Sequence, residues 1–212
     1  MTSSMIPKRL RPPSLVRARA LRFGRQTGAF AVEFSIVALF FLTMVFTIIE
    51  LSRALYLWNA LQEVTRRAAR DAAVTDFSDA SAIEQIQQKA IFRNSAGKLS
   101  LGDPVNEQYV RIDYLSLQNE SNRTLKAVPI PSGSLPACPT RNKITCTAKS
   151  GDANCIRMVR VRICQPGGGS ACSPVPYQPL LPLVNFAINL PVAETVVRAE
   201  SLGYLPGMAS CD

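Results

Sequence analysis

From Ala29 to Ile49 the chain reads AFAVEFSIVALFFLTMVFTII, 21 residues whose single charge is Glu33. A helix rising ~1.5 Å per residue would cover about 31 Å over that run, the hydrocarbon thickness of a bilayer. Seven cations precede it, Lys8, Arg9, Arg11, Arg17, Arg19, Arg22 and Arg25, and no acid occurs before Glu33. Lys and Arg are retained on the cytoplasmic side of a span. Residues 1–28 therefore read as a basic cytoplasmic leader, 29–49 as a transmembrane helix, and everything from Glu50 onward as extracytoplasmic. A cleaved secretory signal would have an apolar core of only ~7–15 residues and a small-residue exit. Glu50-Leu51-Ser52-Arg53 offers no such exit, so the span reads as retained.

The arm also accounts for the charge. The chain carries 24 Lys and Arg against 15 Asp and Glu, a net of +9. Without the seven cations of the arm the balance is 17 against 15, so the excess is local to a membrane flank and no nucleic-acid partner is expected. Histidine is absent, which removes Ser-His-Asp, Cys-His and His-metal constellations. The six cysteines, Cys138, Cys146, Cys155, Cys164, Cys172 and Cys211, all lie on the side expected to be outside. An even number there reads as three disulfides, in one of roughly 15 possible connectivities. No C-x-x-C occurs, and Gly167-Gly168-Gly169 lacks the Lys-Ser/Thr of a phosphate loop. No metal or cofactor is expected.

Gly and Pro divide the rest. Neither occurs between Ala29 and Ala96, whereas twelve of the fifteen prolines follow Gly97. The first stretch predicts one helix from about Ala29 to Val74, on the order of 70 Å long. Its second half, within an extracytoplasmic segment 50–75, is amphipathic. Leu51, Ala54, Leu55, Trp58, Leu61, Val64, Ala68 and Ala72 form a predicted packing stripe, with Arg53, Gln62, Glu63, Arg66, Arg67 and Arg70 largely off it. Trp58 could equally serve as an aromatic anchor at the outer interface. A second helix is expected where Ser81 and Glu84 suggest a capping box, Ile83, Ile86, Ala90 and Ile91 supply an apolar face and Gly97 a C-cap. Alternation predicts strands over Tyr109–Leu117, Ile156–Cys164 and Val192–Ala199, with loops over Val128–Asn154 and Gln165–Pro182. The expected fold is α+β: a long transmembrane-plus-amphipathic helix packed on a small antiparallel sheet, with residues 76–212 a disulfide-stapled domain.

Glu33 is the residue that needs a reason. A carboxylate near the centre of a span costs ~2.5–3.5 kcal/mol, less near its end, and such groups are functional candidates. Here a basic arm ends at Gly28, the apolar helix begins at Ala29, and Glu33-Phe34 follows at the fifth position after the glycine. This pattern resembles the processing motif of type IV pilin-like proteins. The resemblance implies a prepilin peptidase that cuts after Gly28 and frees an amine on Ala29. Alanine rather than phenylalanine after the cut, the long leader and Val32-Glu33-Phe34 look most like the TadE/TadF pseudopilins of the tight-adherence (Tad, Flp) pilus. Ile49-Glu50-Leu51-Ser52-Arg53 and Ala68-Ala69-Arg70-Asp71-Ala72-Ala73 are similar to the continuation of their helix, and Val197-Arg198-Ala199-Glu200 to the end of their last strand.

By that resemblance the expected role is a non-enzymatic minor pilin or pseudopilin for assembly of a Tad pilus, in adhesion and export. Expected partners are the prepilin peptidase, the major Flp-type pilin, a sister TadE/TadF-like pseudopilin, the inner-membrane assembly platform and the membrane itself. The expected location is the bacterial inner membrane, single-pass, with the C-terminal domain periplasmic. Two other classes stay open: a generic membrane-anchored binding domain that is never cut at Gly28, and an exported enzyme using a carboxylate pair or a Ser-Lys dyad. Asp113, Glu120 and Asp152 read as solvated strand-face and loop residues.

Overall fold

A computed structural model describes residues 27–120, 124–167, 171–180, 188–209 and 211. The basic arm up to residue 26, Gly168, Gly169 and Pro182 lie outside these residues. The chain divides into two compact units, Met1–Val45 and Phe46–Asp212.

Helix α1 runs from Thr27 to Val74, as a stretch without Gly or Pro after Gly28 dictates. Over residues 28–49 its side chains are almost all exposed, phenylalanines and leucines included. A surface of that composition is stable only against lipid or another apolar partner. In the second unit the helix buries Leu57, Ala60, Leu61, Val64, Thr65, Ala68, Ala69, Ala72 and Ala73, at the spacing of three and four that keeps one face inward. The predicted stripe is thereby corrected at its start. Leu51, Leu55 and Trp58 are exposed, while Arg53, expected off the stripe, is buried.

The buried face packs on a four-stranded antiparallel sheet of order β2-β1-β3-β4, with β1 Val110–Asn119, β2 Leu125–Pro129, β3 Met158–Ile163 and β4 Glu194–Arg198. Tyr114 pairs with Val159 and Ile112 with Val161, so one side of the pleat brings Val110, Tyr114, Val159, Val161 and Ile163 into the core. Thr65 of α1 and Thr195 of β4 join the layers through their hydroxyls, 2.9 Å apart. Strand β2 was not expected: its last two residues fall in the predicted loop Val128–Asn154, and it is an edge strand with no fully buried side chain.

Helix α2, Ala80–Ala90, is capped differently from the expectation. Asp79 accepts from the backbone N–H groups of Ser81 and Ala82 at 2.9 and 3.2 Å, so the cap is two residues earlier than Ser81. Ile91, not Gly97, closes the helix. A further helix, α3 over Pro139–Ala148, replaces part of the predicted loop.

The end of α1 is capped by distant chain. Glu200 and Leu202 donate their N–H groups to the Ala73 carbonyl, and Gly203 to that of Val74, satisfying acceptors that a helix terminus leaves open. Gly203 has φ +82°, and a Cβ there would lie 2.7 Å from the Asp76 backbone. Only glycine fits this approach.

Candidate functional site

Gly28 sits in the first turn of α1, exposed, and among the described residues nothing beyond its chain neighbours and its own helix backbone comes within 4 Å of the position a Cβ would take. Ala29, Glu33 and Phe34 follow on the same helix and are all exposed. Because the backbone is helical through this stretch, positions 29 and 33 are one turn apart on one face. Glu33 makes no ion pair with any described residue.

The six cysteines pair as Cys138–Cys211, Cys146–Cys155 and Cys164–Cys172. The first ties the chain's last described residue to the N-cap of α3. The second ties α3 to the segment entering β3, where the Asn142 side chain also accepts from the Ile156 N–H at 2.9 Å. The third closes the loop after β3. No thiol is left to bind metal or attack a substrate. Among the described residues no three His, Cys, Asp or Glu side chains gather as a metal site.

Two charged clusters escaped the sequence reading. On the sheet face away from α1, Asp113 is held by three arginines. Arg111 Nε donates to Oδ1 at 2.9 Å, and Arg160 Nη2 and Arg162 Nη2 donate to Oδ2 at 3.1 and 2.7 Å. Its side chain is 11% exposed, so it is not the solvated strand-face residue expected. Burial pushes its carboxyl upward, but the hydrogen bonds from Arg162 and Arg111 outweigh this and hold it below the usual carboxylate range. The alternation Arg111-Ile112-Asp113 and Arg160-Val161-Arg162 carried the signal, since both sets face the same way once the strands pair.

The second cluster lies just past the apolar run. Arg53 Nε donates to the Leu101 carbonyl at 2.9 Å, and its Nη1 donates to the Gln178 carbonyl at 2.6 Å and to Glu50 at 3.3 Å. The Tyr177 hydroxyl donates to Glu50, and the Arg53 guanidinium lies 5.2 Å from the centre of the Tyr177 ring. Burial, then the hydrogen bond to Glu50, pushes the Tyr177 phenol up to about 12. The Glu50-x-x-Arg53 spacing was visible in the sequence; its partners some 124 residues on were not.

A concavity of about 680 Å³ lies beside α3 and is lined by residues including Asn142, Lys143, Arg198, Glu200, Ser201 and Tyr204. It brings a serine and a lysine together, the pair an enzyme without histidine would need. Ser201 Oγ donates instead to the Val74 carbonyl at 3.2 Å, and the Lys143 ammonium lies 3.9 Å from the Tyr204 ring centre. No hydrogen bond joins the two.

What remains as the candidate site is the start of α1. Residues 28–70 match the family model described as TadE-like protein. The match begins at Gly28, takes in Glu33 and Phe34, and ends at Arg70, before α2 and the disulfide-stapled domain. It makes the chain similar to TadE-like proteins over its long helix. No curated protein and no solved structure matches the chain. Among the described residues one helix, Gly28–Val74, is long and apolar enough to cross a membrane, with a mean hydropathy of 2.4 over its most apolar window. Together these agree with a TadE-like accessory protein anchored by a single span.

Proposed function

We propose that the chain is a non-enzymatic minor pilin or pseudopilin that a Tad-type pilus needs for its assembly. In this reading a prepilin peptidase of the bacterial inner membrane cuts after Gly28. The leader stays cytoplasmic and the domain beyond Glu50 is periplasmic. The observation that carries the reading is the coincidence of the TadE-like match with the motif itself: it starts at the glycine of the basic-arm, Gly28, Glu33 sequence.

The chemistry follows from the helix. Before processing, the seven cations of the arm hold the protein at the inner face of the membrane. Cutting after Gly28 puts an ammonium on Ala29, one turn from the Glu33 carboxylate of its own helix or beside that of a neighbour. In low dielectric either charge alone is heavily penalised and the pair is attractive. Pairing between helices then sets their axial register when they bundle with the major pilin, a sister pseudopilin and the assembly platform.

Glu33→Ala is expected to insert into the membrane at the normal level, while its recovery with the pilus assembly falls roughly tenfold or more, as loss of an intramembrane charge pair implies. Co-purification with the major pilin reads this directly. Unchanged recovery of Glu33→Ala would remove Glu33 from the mechanism.

A further inference from the structure

Within the Phe46–Asp212 unit the apolar run of α1 ends at Ile49, and the next two charges are turned into protein. The Glu50 and Arg53 side chains are 22% and 7% exposed. Among the side chains that face outward near them are four leucines: Leu51, Leu55, Leu101 and Leu180 are 60%, 55%, 61% and 53% exposed. Their backbones are fixed to the helix at this level. The Leu101 carbonyl accepts from Arg53, and the Leu180 N–H donates to the Glu50 carboxylate at 3.2 Å.

The level itself is informative. Arg53 lies four residues past Ile49, ~6 Å along the axis, and the interfacial layer of a bilayer is about 5–7 Å deep on each side. Helical side chains lean toward the N-terminus, so Leu55 reaches back toward the same depth. Leu101 stands in the turn between Leu99 and Val105 with φ +54°, a left-handed conformation costly for any residue with a Cβ. At an exposed turn in water that position suits glycine or asparagine. The charges of this turn cancel, since Lys98 Nζ lies 2.6 Å from Asp103 Oδ1.

We propose that Leu51, Leu55, Leu101 and Leu180 form an apolar collar that seats the extracytoplasmic domain in the headgroup–acyl boundary of the outer leaflet. The occupant is lipid because the collar begins where the apolar surface of Phe46–Ile49 ends, with the two charges that follow on the helix, Glu50 and Arg53, turned into protein. Glu50 and Arg53 pair within the protein and the exposed Lys98 and Asp103 pair with each other, so no charge at this level is left uncompensated. The collar fixes the height of the domain above the membrane before any partner is met. It rests on the reading of α1 as a membrane span.

The test uses the full chain in vesicles of phosphatidylethanolamine and phosphatidylglycerol. Trp58 is the single tryptophan, so Trp58→Phe gives a dark background into which Leu101→Trp, Leu180→Trp, Phe40→Trp and Leu125→Trp are placed one at a time. Lipids brominated on the upper acyl chain serve as quencher. The collar predicts blue-shifted emission at positions 101 and 180 and loss of about half of it to the quencher, as for an apolar face buried ~5–10 Å. Position 40 is quenched by lipids brominated deeper, and position 125, on edge strand β2, is not quenched. Quenching at 40 without quenching at 101 or 180 overturns the collar and leaves the span standing. Blue-shifted but unquenched emission at 101 and 180 also overturns it, because the leucines would then be covered by protein. No quenching at 40 overturns both readings, and quenching at 125 overturns the seat at the helix exit.

Discussion

Replacing Cys138 and Cys211 together by serine lowers the stability of the disulfide-stapled domain by about 4 kcal/mol, the largest single effect expected in this chain. The bridge spans 73 residues, against 9 and 8 for Cys146–Cys155 and Cys164–Cys172. In the chain-entropy account the cost of closing a loop grows with the logarithm of its length, so the same exchange at Cys146 and Cys155 costs only about 3 kcal/mol. For a domain of this size ~4 kcal/mol corresponds to a fall in Tm of roughly 8–16 °C. Thermal unfolding of the detergent-solubilised full chain, with both cysteines of a pair removed so that no thiol is freed, measures it. Equal shifts for the two pairs would mean that loop length does not govern their worth. A further consequence is local: the long bridge holds the segment after Gly203, which caps α1, against the N-cap of α3.

Arg53→Ala is the second large effect, about 3 kcal/mol, in the range for removing one partner of a buried charge pair. The guanidinium supplies donors to the Leu101 and Gln178 carbonyls and to Glu50; alanine removes all three bonds and leaves Glu50 with only the Tyr177 hydroxyl and the Leu180 N–H. Arg53→Lys keeps the charge but not the planar fork that reaches both carbonyls at once, so it recovers only part of the loss. Arg67 is the comparison. It pairs with Glu63 at 2.8 Å with both side chains about half exposed, and Arg67→Ala is expected to cost under about 0.5 kcal/mol. Denaturant midpoints of the three variants test this; an Arg53→Ala change as small as that of Arg67→Ala would show that the cluster is solvated.

The long helix was legible because its signals are local: an unbroken apolar run, no Gly or Pro, and a charged arm at one end. Strands β1, β3 and β4 were legible for a similar reason, since Tyr109–Leu117 and Ile156–Cys164 alternate as half-buried strands do. Strand β2 was not, because an edge strand with exposed Leu125, Lys126 and Ala127 carries no burial pattern. Helix α3 was hidden by its content of threonine and asparagine, poor helix formers that Cys138–Cys211 and Cys146–Cys155 hold in place.

The packing stripe of α1 was misplaced at its start because heptad-like spacing is ambiguous there. Leu51, Leu55 and Trp58 form one apolar line and Leu57, Leu61 and Val64 another, and only the position of the sheet decides between them. Arg53 belongs to the buried line because loop carbonyls from 48 and 125 residues away meet it. No local pattern encodes such partners, and the same holds for the pairing of the six cysteines. The start of α1 was read in the opposite way. Gly28 and Glu33 stood out through their spacing, and the role proposed for them lies in chemistry with partners outside this chain.

Processing of this chain as a pilin-like protein is read by the N-terminal mass of membrane-extracted protein. Measured with and without a co-expressed prepilin peptidase, the mass is expected to drop by that of residues 1–28 when the peptidase is present, giving a chain that begins at Ala29. An intact leader under both conditions would rule out pilin-like processing. Gly28 and Glu33 would then be incidental to a membrane-anchored envelope domain.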